Sequence, residues 1–135
     1  MNQEQRQFWE DLLAYYHQEL QERQSPVMLS MLGFFHGEKQ ALEDKRLAEA
    51  GRVYLLRDGK LITKRIDDLS PSDAPYLMAE LERNQAMAEE HSRADGEQAV
   101  TELPGGAIFT HPHYEDSSAD LRERWRELKE TWEAR

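Results

Sequence analysis

The segment VYLLRDGKLITKRI, residues 53–66, carries the strongest local structural signal in the chain. Asp58-Gly59 separates two runs rich in apolar residues, and this dipeptide favours a type I′ turn because both central positions need positive φ. We therefore predict a β-hairpin over residues 52–66. Its register places Leu56 opposite Leu61, Leu55 opposite Ile62 and Tyr54 opposite Thr63, so apolar side chains fall on both faces and both faces should be partly covered.

Helical patterns surround the hairpin. Residues 3–23 place large apolar side chains three and four positions apart, which predicts an amphipathic helix. A second helix is predicted after Ser25-Pro26. A third is predicted over 38–50, with Gly51 as its C-terminal cap and Leu42 and Leu47 as its large apolar residues. A fourth is predicted after Ser72, and the choice of Ser72 as cap places Pro75 in the first turn. Around Pro104-Gly105-Gly106, residues 99–110 suggest a second, short hairpin.

The last predicted helix, capped by Ser117, carries a heptad-like apolar seam. The seam consists of Leu121, Trp125, Leu128 and Trp132. By spacing, the first and last helices are natural mates, and we expect their aromatic stripes to pack together. The predicted fold class is a helix-dominated α+β domain of about five helices with one clear hairpin. With 135 residues the chain fits one domain, residues 1–135, near the common size of roughly 100 to 150 residues.

Composition narrows the function classes. The chain has 27 acidic and 17 basic residues and a formal net charge of −10, so tight binding to a polyanion would meet net repulsion. There is no cysteine, which excludes disulfides, thiolate metal sites and thiol nucleophiles. The start of the chain does not resemble a secretory signal, and its most apolar run is too short for a membrane span of about 20 residues. We expect a cytoplasmic protein with no membrane contact.

Charge is unevenly distributed. Residues 52–66 contain five basic residues and one acid, whereas residues 67–120 contain thirteen acids and two basic residues. Arg57, Lys60, Lys64 and Arg65 in the hairpin form a candidate surface for phosphates or an acidic partner, and the alternative is that they pair with acids of the following segment. The acidic segment is the better candidate contact for a basic partner.

Helix, helix, helix, hairpin is also the element order of winged-helix DNA-binding domains, which the chain resembles in this order only. That resemblance would make the third helix the reader and the Asp58-Gly59 ribbon the wing. The polar residues of the third helix sum to a slight negative charge, which is unfavourable for a reading helix. Nucleic-acid binding is therefore an alternative function.

A further alternative is a divalent-metal site in the segment THPHYED, residues 110–116. Its ligand types, with a proline between the two imidazoles, permit binding of zinc or a similar ion. The candidate ligands are His111, His113, Glu115 and Asp116. No helical ligand pair supports them, and a solvated loop is the competing interpretation.

Catalytic motifs are lacking: the sequence shows no P-loop, no nucleophile elbow and no paired acids within an apolar run. We therefore expect a non-enzymatic, small acidic protein of adaptor, chaperone-like or inhibitor type that needs no cofactor. Its partner should be another protein with a basic surface. The C-terminal seam needs a partner in the same chain or another one, so it is a candidate binding surface and self-association as a homodimer is the second choice.

Overall fold

The computed structural model describes residues 1–24, 37–94, 100–102, 108–110 and 118–132. These residues form a helix-dominated α+β structure with four α-helices and an antiparallel hairpin. The elements in chain order are α1 Gln3–Arg23, α2 Glu38–Glu49, β1 Arg52–Arg57, β2 Lys60–Arg65, α3 Ala74–Ala94, β3 Val100–Glu102, β4 Ile108–Thr110 and α4 Ala119–Leu128. The helix predicted after Ser25-Pro26 lies outside the described residues.

Helix α1 begins where the sequence pattern predicted. Its first turn is fixed by a reciprocal capping box, in which Asn2 Oδ1 accepts from the Gln5 amide and Gln5 Oε1 accepts from the Asn2 amide. Its apolar stripe is turned inward. The buried apolar residues of α1 are Phe8, Trp9, Leu12, Tyr16 and Leu20.

The hairpin prediction is confirmed in register and in turn geometry. Leu55 pairs with Ile62 and Leu56 with Leu61. Asp58 and Gly59 have φ angles of +52° and +76°, as a type I′ turn requires. The expectation for the faces is only partly met: Val53 and Leu55 of β1 are buried against the core, but β2 is exposed over most of its length.

Helix α2 packs on the core through alanines and leaves one of its two large apolar residues outside. Ala41 and Ala48 are its buried residues, whereas Leu42 is 49% exposed. Small side chains allow α2 to approach α1 closely, and the two helices meet at Gln24, whose Nε2 donates to the Ala48 carbonyl at 3.4 Å. Gly51 follows the helix with φ +71°, in agreement with its predicted role as a C-terminal cap.

The start of α3 corrects the predicted cap. A 3₁₀ turn, Pro71–Asp73, precedes the helix, and Ser70 rather than Ser72 occupies its N-cap. Asp73 Oδ2 accepts from the Ser70 amide at 2.9 Å. Because this extra turn starts at Pro71, α3 itself begins at Ala74, and Pro75 still lies in the first turn, where no amide partner is needed.

Terminal helices pack against each other, as the aromatic stripes predicted. The Phe8 and Trp125 rings stack at 5.7 Å between centroids. Helix α4 is shorter than its seam: it ends at Leu128, and a 3₁₀ turn over Lys129–Thr131 carries the chain to Trp132. The predicted cap Ser117 lies outside the described residues, and Ser118 stands at the N-cap.

Two short strands complete the described structure. Val100 pairs with Thr110 and Glu102 with Ile108 in an antiparallel arrangement, within the range 99–110 where a second hairpin was suggested. The residues that connect these strands lie outside the described part of the chain. No helix in the described part combines the length and the apolar character that a membrane crossing requires.

Candidate partner-binding surfaces

The C-terminal seam is covered within the chain. Leu121, Trp125 and Leu128 are at most 7% exposed, and Trp132 is half-buried. Trp132 lies edge-on to Phe8 at 5.7 Å and to Trp125 at 5.5 Å. Its indole Nε1 donates to the Pro71 carbonyl at 2.9 Å, which satisfies the one polar atom of the ring.

Polar contacts hold the same interface at its edges. Arg124 Nη1 lies 2.9 Å from Asp11 Oδ2, and its guanidinium group also lies over the Phe8 ring at 5.5 Å. Near the other end, Gln5 Nε2 donates to the Thr131 carbonyl at 2.9 Å. The partner of the seam is therefore α1 of the same chain. A second copy that bound through the seam would first have to displace α1.

The four hairpin cations are placed differently from one another. Lys64 Nζ lies 2.9 Å from the largely buried Asp73 carboxylate, and Arg65 lies 3.8 Å from the exposed Asp67. The Arg57 guanidinium group lies over the Tyr76 ring at 5.4 Å. Lys60 is exposed. The acidic segment thus supplies intramolecular partners for two of these cations, the alternative that the charge pattern had raised.

The hairpin also divides its cations between two faces. Residues paired directly across an antiparallel ladder share a face, so Arg57, Lys60 and Lys64 lie on the face of the buried Val53 and Leu55. Arg52 and Arg65 lie on the opposite face. On that face Tyr54 donates to Asp44 of α2 at 2.8 Å. An acid of the proposed reading helix therefore contacts the hairpin, and binding of nucleic acid by α2 and the hairpin remains a prediction.

The metal-site candidates His111, His113, Glu115 and Asp116 lie outside the described residues. Within the ranges that the structure describes, no three His, Asp or Glu side chains are grouped so that they could hold a metal ion. The metal-binding alternative accordingly stays a prediction from the sequence.

A buried polar cluster between α1 and α3 escaped the sequence reasoning. Glu80 is 4% exposed, and its carboxylate accepts two hydrogen bonds from Arg83, at 2.9 and 2.8 Å. The Tyr16 hydroxyl donates to the Leu77 carbonyl at 3.1 Å. The signal was an acid inside the apolar run Pro75–Leu81 with an arginine three positions later, the spacing of a helical ion pair.

Burial and neighbouring charges shift the pKa values of several groups at this contact. Burial raises the pKa of the Tyr16 phenol, and the neighbouring Tyr15 and Glu80 raise it further. Burial likewise raises the pKa of the Glu19 carboxyl, against the opposing effect of Arg23. The hydrogen bond from Arg83 to Glu80 raises the pKa of Arg83. These groups are suited to stabilising the helix contact, and the Tyr16 hydroxyl and the Glu80 carboxylate have their hydrogen bonds within the chain.

A shallow surface groove lies elsewhere, along the first turns of α1. Its lining comes from the first turns of α1 and the residue before its cap, so groups from distant elements do not converge there as they do in most enzyme sites. The lining residues are Met1, Gln3, Arg6, Gln7 and Glu10.

Comparison with known proteins adds no family to these observations. The chain matched no protein-family model, no curated protein and no solved structure.

Proposed function

We propose that this chain is a non-enzymatic binding protein whose acidic surface contacts a basic partner protein. One observation carries the proposal: two of the hairpin cations lie beside acids of the chain, whereas several acids of the 67–120 segment face solvent. Lys64 and Arg65 have Asp73 and Asp67 as partners. The exposed acids of the segment include Asp67, Asp68, Glu82 and Glu89.

The positions of two exposed acids on α3 support the proposal. Glu82 and Glu89 are seven residues apart, so both lie on one face of the helix. Up to Leu81 the first two turns of α3 are buried or half-buried, whereas Glu82 and Glu89 are exposed. The second half of the helix therefore presents carboxylates away from the core, where they can attract a cationic surface over a Debye length of about 8 Å.

The apolar interface of the terminal helices supports the same proposal indirectly. Because α1 covers Leu121, Trp125 and Leu128, the seam does not offer an exposed apolar stripe for a partner. Charge is then the surface property that distinguishes this molecule, whose formal net charge is −10. Electrostatic complementarity contributes chiefly to the rate of association and to specificity.

The test is a comparison of two charge-matched triple variants. Asp68→Asn, Glu82→Gln and Glu89→Gln together remove three exposed acids of the segment. Glu10→Gln, Glu22→Gln and Glu43→Gln remove three exposed acids of α1 and α2. Each tagged protein is expressed in the native host and purified at low ionic strength. The proteins that copurify are quantified by mass spectrometry.

We expect the segment variant to lose basic proteins that the wild-type chain and the α1/α2 variant retain. The loss should be reproduced for the wild-type chain by raising the salt concentration, since salt screens exposed charges. Retention of the same partners by the segment variant, or equal losses from both variants, would contradict the proposed contact surface.

A further inference from the structure

Strand β2 is the exposed strand of the hairpin. Val53 and Leu55 of β1 are 1% exposed, whereas Leu61 and Ile62 of β2 are 45% and 39% exposed. Strand β1 packs on α3, so β2 lies on the outer side of the ribbon. Two adjacent, exposed, large apolar residues on a regular strand are unusual for a solvent-facing edge.

Backbone geometry turns one edge of β2 away from β1. In a hairpin with a two-residue type I′ turn, the flanking residues Arg57 and Lys60 form a hydrogen-bonded pair, and the pattern then alternates. The N–H and C=O groups of Leu61, Thr63 and Arg65 therefore point away from β1. Among the described residues this sheet has two strands, and no third strand lies beside β2.

Charge on β2 has one sign. The strand contains Lys60, Lys64 and Arg65 and no acid. Lys60 and Arg65 are exposed on opposite faces of the ribbon, so cations flank the free edge on both sides. The Arg65 contact with Asp67 is 3.8 Å long between side chains that are 58% and 77% exposed, and such pairs contribute little.

We propose that the free edge of β2 binds an extended acidic segment of a partner protein by strand addition. The backbone groups of Leu61, Thr63 and Arg65 supply the main-chain hydrogen bonds. Leu61 and Ile62 contact apolar residues of the added strand, and Lys60 and Arg65 face its carboxylates across the ladder. This surface is separate from the acidic surface of the 67–120 segment and takes a ligand of the opposite charge.

The same charges argue against a second copy as the occupant. Two paired β2 strands would bring six cations and no acid together, and in the antiparallel register centred on Ile62 the Lys60 of each copy lies opposite Lys64 of the other. Like charges directly opposite each other destabilise a strand pair. An acidic strand reverses this effect, so charge complementarity selects the partner.

The test uses a fluorescent, end-blocked peptide of about seven residues, near the common strand length, in which two glutamates at each end flank valines, so that both faces of the added strand carry carboxylates. A lysine–valine peptide of equal length is the charge-reversed control. Binding to the full chain is measured by anisotropy, and amide exchange is followed residue by residue by NMR. We expect saturable binding of the acidic peptide alone, with protection of the Leu61, Thr63 and Arg65 amides.

Two variants separate strand addition from general charge attraction. Thr63→Pro removes an outward N–H that the hairpin does not use, and Thr63→Ala keeps that N–H but loses the same side-chain hydroxyl, which accepts from Arg52 at 3.4 Å. We expect Thr63→Pro to weaken peptide binding about tenfold or more, and Thr63→Ala to bind like the wild type. Lys60→Glu with Arg65→Glu, both at exposed positions, should also abolish binding of the acidic peptide.

The proposal is overturned by three results. These are no saturable binding up to about 1 mM peptide, binding without protection of the three amides, and equal affinity of the Thr63→Pro and Thr63→Ala variants. Light scattering gives a further decision: a wild-type dimer that Thr63→Pro converts to a monomer would identify a second copy as the occupant and would also overturn it.

Discussion

Tyr16 shows how one polar atom is accommodated among apolar neighbours. Its ring is 4% exposed, and its hydroxyl donates to the carbonyl of Leu77, which is 61 positions away in the chain. A buried hydroxyl without a partner would be costly, so this hydrogen bond fixes how α1 lies on α3. The Tyr16 hydrogen bond therefore joins α1 to the buried first turns of α3.

We predict that Tyr16→Phe destabilises the fold by about 1 kcal/mol at pH 8, because one buried hydrogen bond is lost. It should also reduce the loss of stability in alkali. Since burial raises the pKa of Tyr16 in the folded state, the unfolded chain releases its phenolic proton first, and stability falls as pH rises above about 10. Urea unfolding at pH 8 and pH 10.5 measures both effects.

Tyr76→Phe is the control for this prediction, because it removes the same hydroxyl group from a half-buried ring. An unchanged alkaline slope in the Tyr16→Phe variant would contradict the assignment of that slope to Tyr16.

Lys64 and Lys60 lie on one strand and one face but have different surroundings. Lys64 contacts the Asp73 carboxylate at 2.9 Å, and the Asp73 side chain is 9% exposed, whereas Lys60 faces solvent. We predict that Lys64→Met destabilises the fold by about 1–2 kcal/mol, because it leaves a buried carboxylate without its cation. Lys60→Met should change stability by less than about 0.5 kcal/mol. Chemical denaturation measures the free energy of unfolding of both variants. Equal losses of stability would show that the ion pair between Lys64 and Asp73 does not stabilise the fold.

The hairpin is the element whose geometry depends most on local sequence. Asp58 and Gly59 both adopt positive φ, and nothing lies within 4 Å of the position where a Gly59 side chain would begin. A substitution at Gly59 would therefore act through backbone conformation alone, without a steric clash. The same turn sets the register that exposes the backbone edge of β2.

We predict that Gly59→Ala destabilises the fold by about 1 kcal/mol, the cost of a left-handed conformation for a residue with a β-carbon. Asp58→Asn should be tolerated within about 0.5 kcal/mol, since asparagine adopts this conformation readily. Thermal unfolding followed by circular dichroism compares the two variants. A Gly59→Ala variant as stable as the wild type would mean that the hairpin can use another turn.

At the scale of the whole molecule, the two ends of the chain share one aromatic cluster. Phe8, Trp125 and Trp132 lie within 5.7 Å of one another between ring centroids. Arg124 and Asp11 bridge the same helix pair at its surface. Folding of the N-terminal helix against the rest of the core therefore depends on the C-terminal residues.

We predict that Trp125→Ala destabilises the fold by about 3–5 kcal/mol, because it opens a cavity where α1 and α4 meet. Arg126→Ala, at the exposed neighbouring position, should cost less than about 0.5 kcal/mol. Near-ultraviolet circular dichroism and urea unfolding measure the loss of packing and of stability. A Trp125→Ala variant with native-like stability would contradict a core that joins the chain ends.

The sequence by itself determined the features that depend on neighbouring residues. The apolar stripe of α1, the Asp58-Gly59 turn and the hairpin register follow from periodicity and backbone sterics, and the structure confirms them. The mutual packing of the terminal helices could also be predicted, because two aromatic stripes each need cover.

Only the tertiary structure decided which groups are buried together and which stay exposed. Local patterns did not show that Leu42 and Ile62 would face solvent or that the Trp132 indole would meet the Pro71 carbonyl. These outcomes depend on how the helices pack against each other. That packing is determined by contacts of small alanine side chains and by single buried hydrogen bonds. Such contacts join residues far apart in the chain, so no local window of sequence contains them.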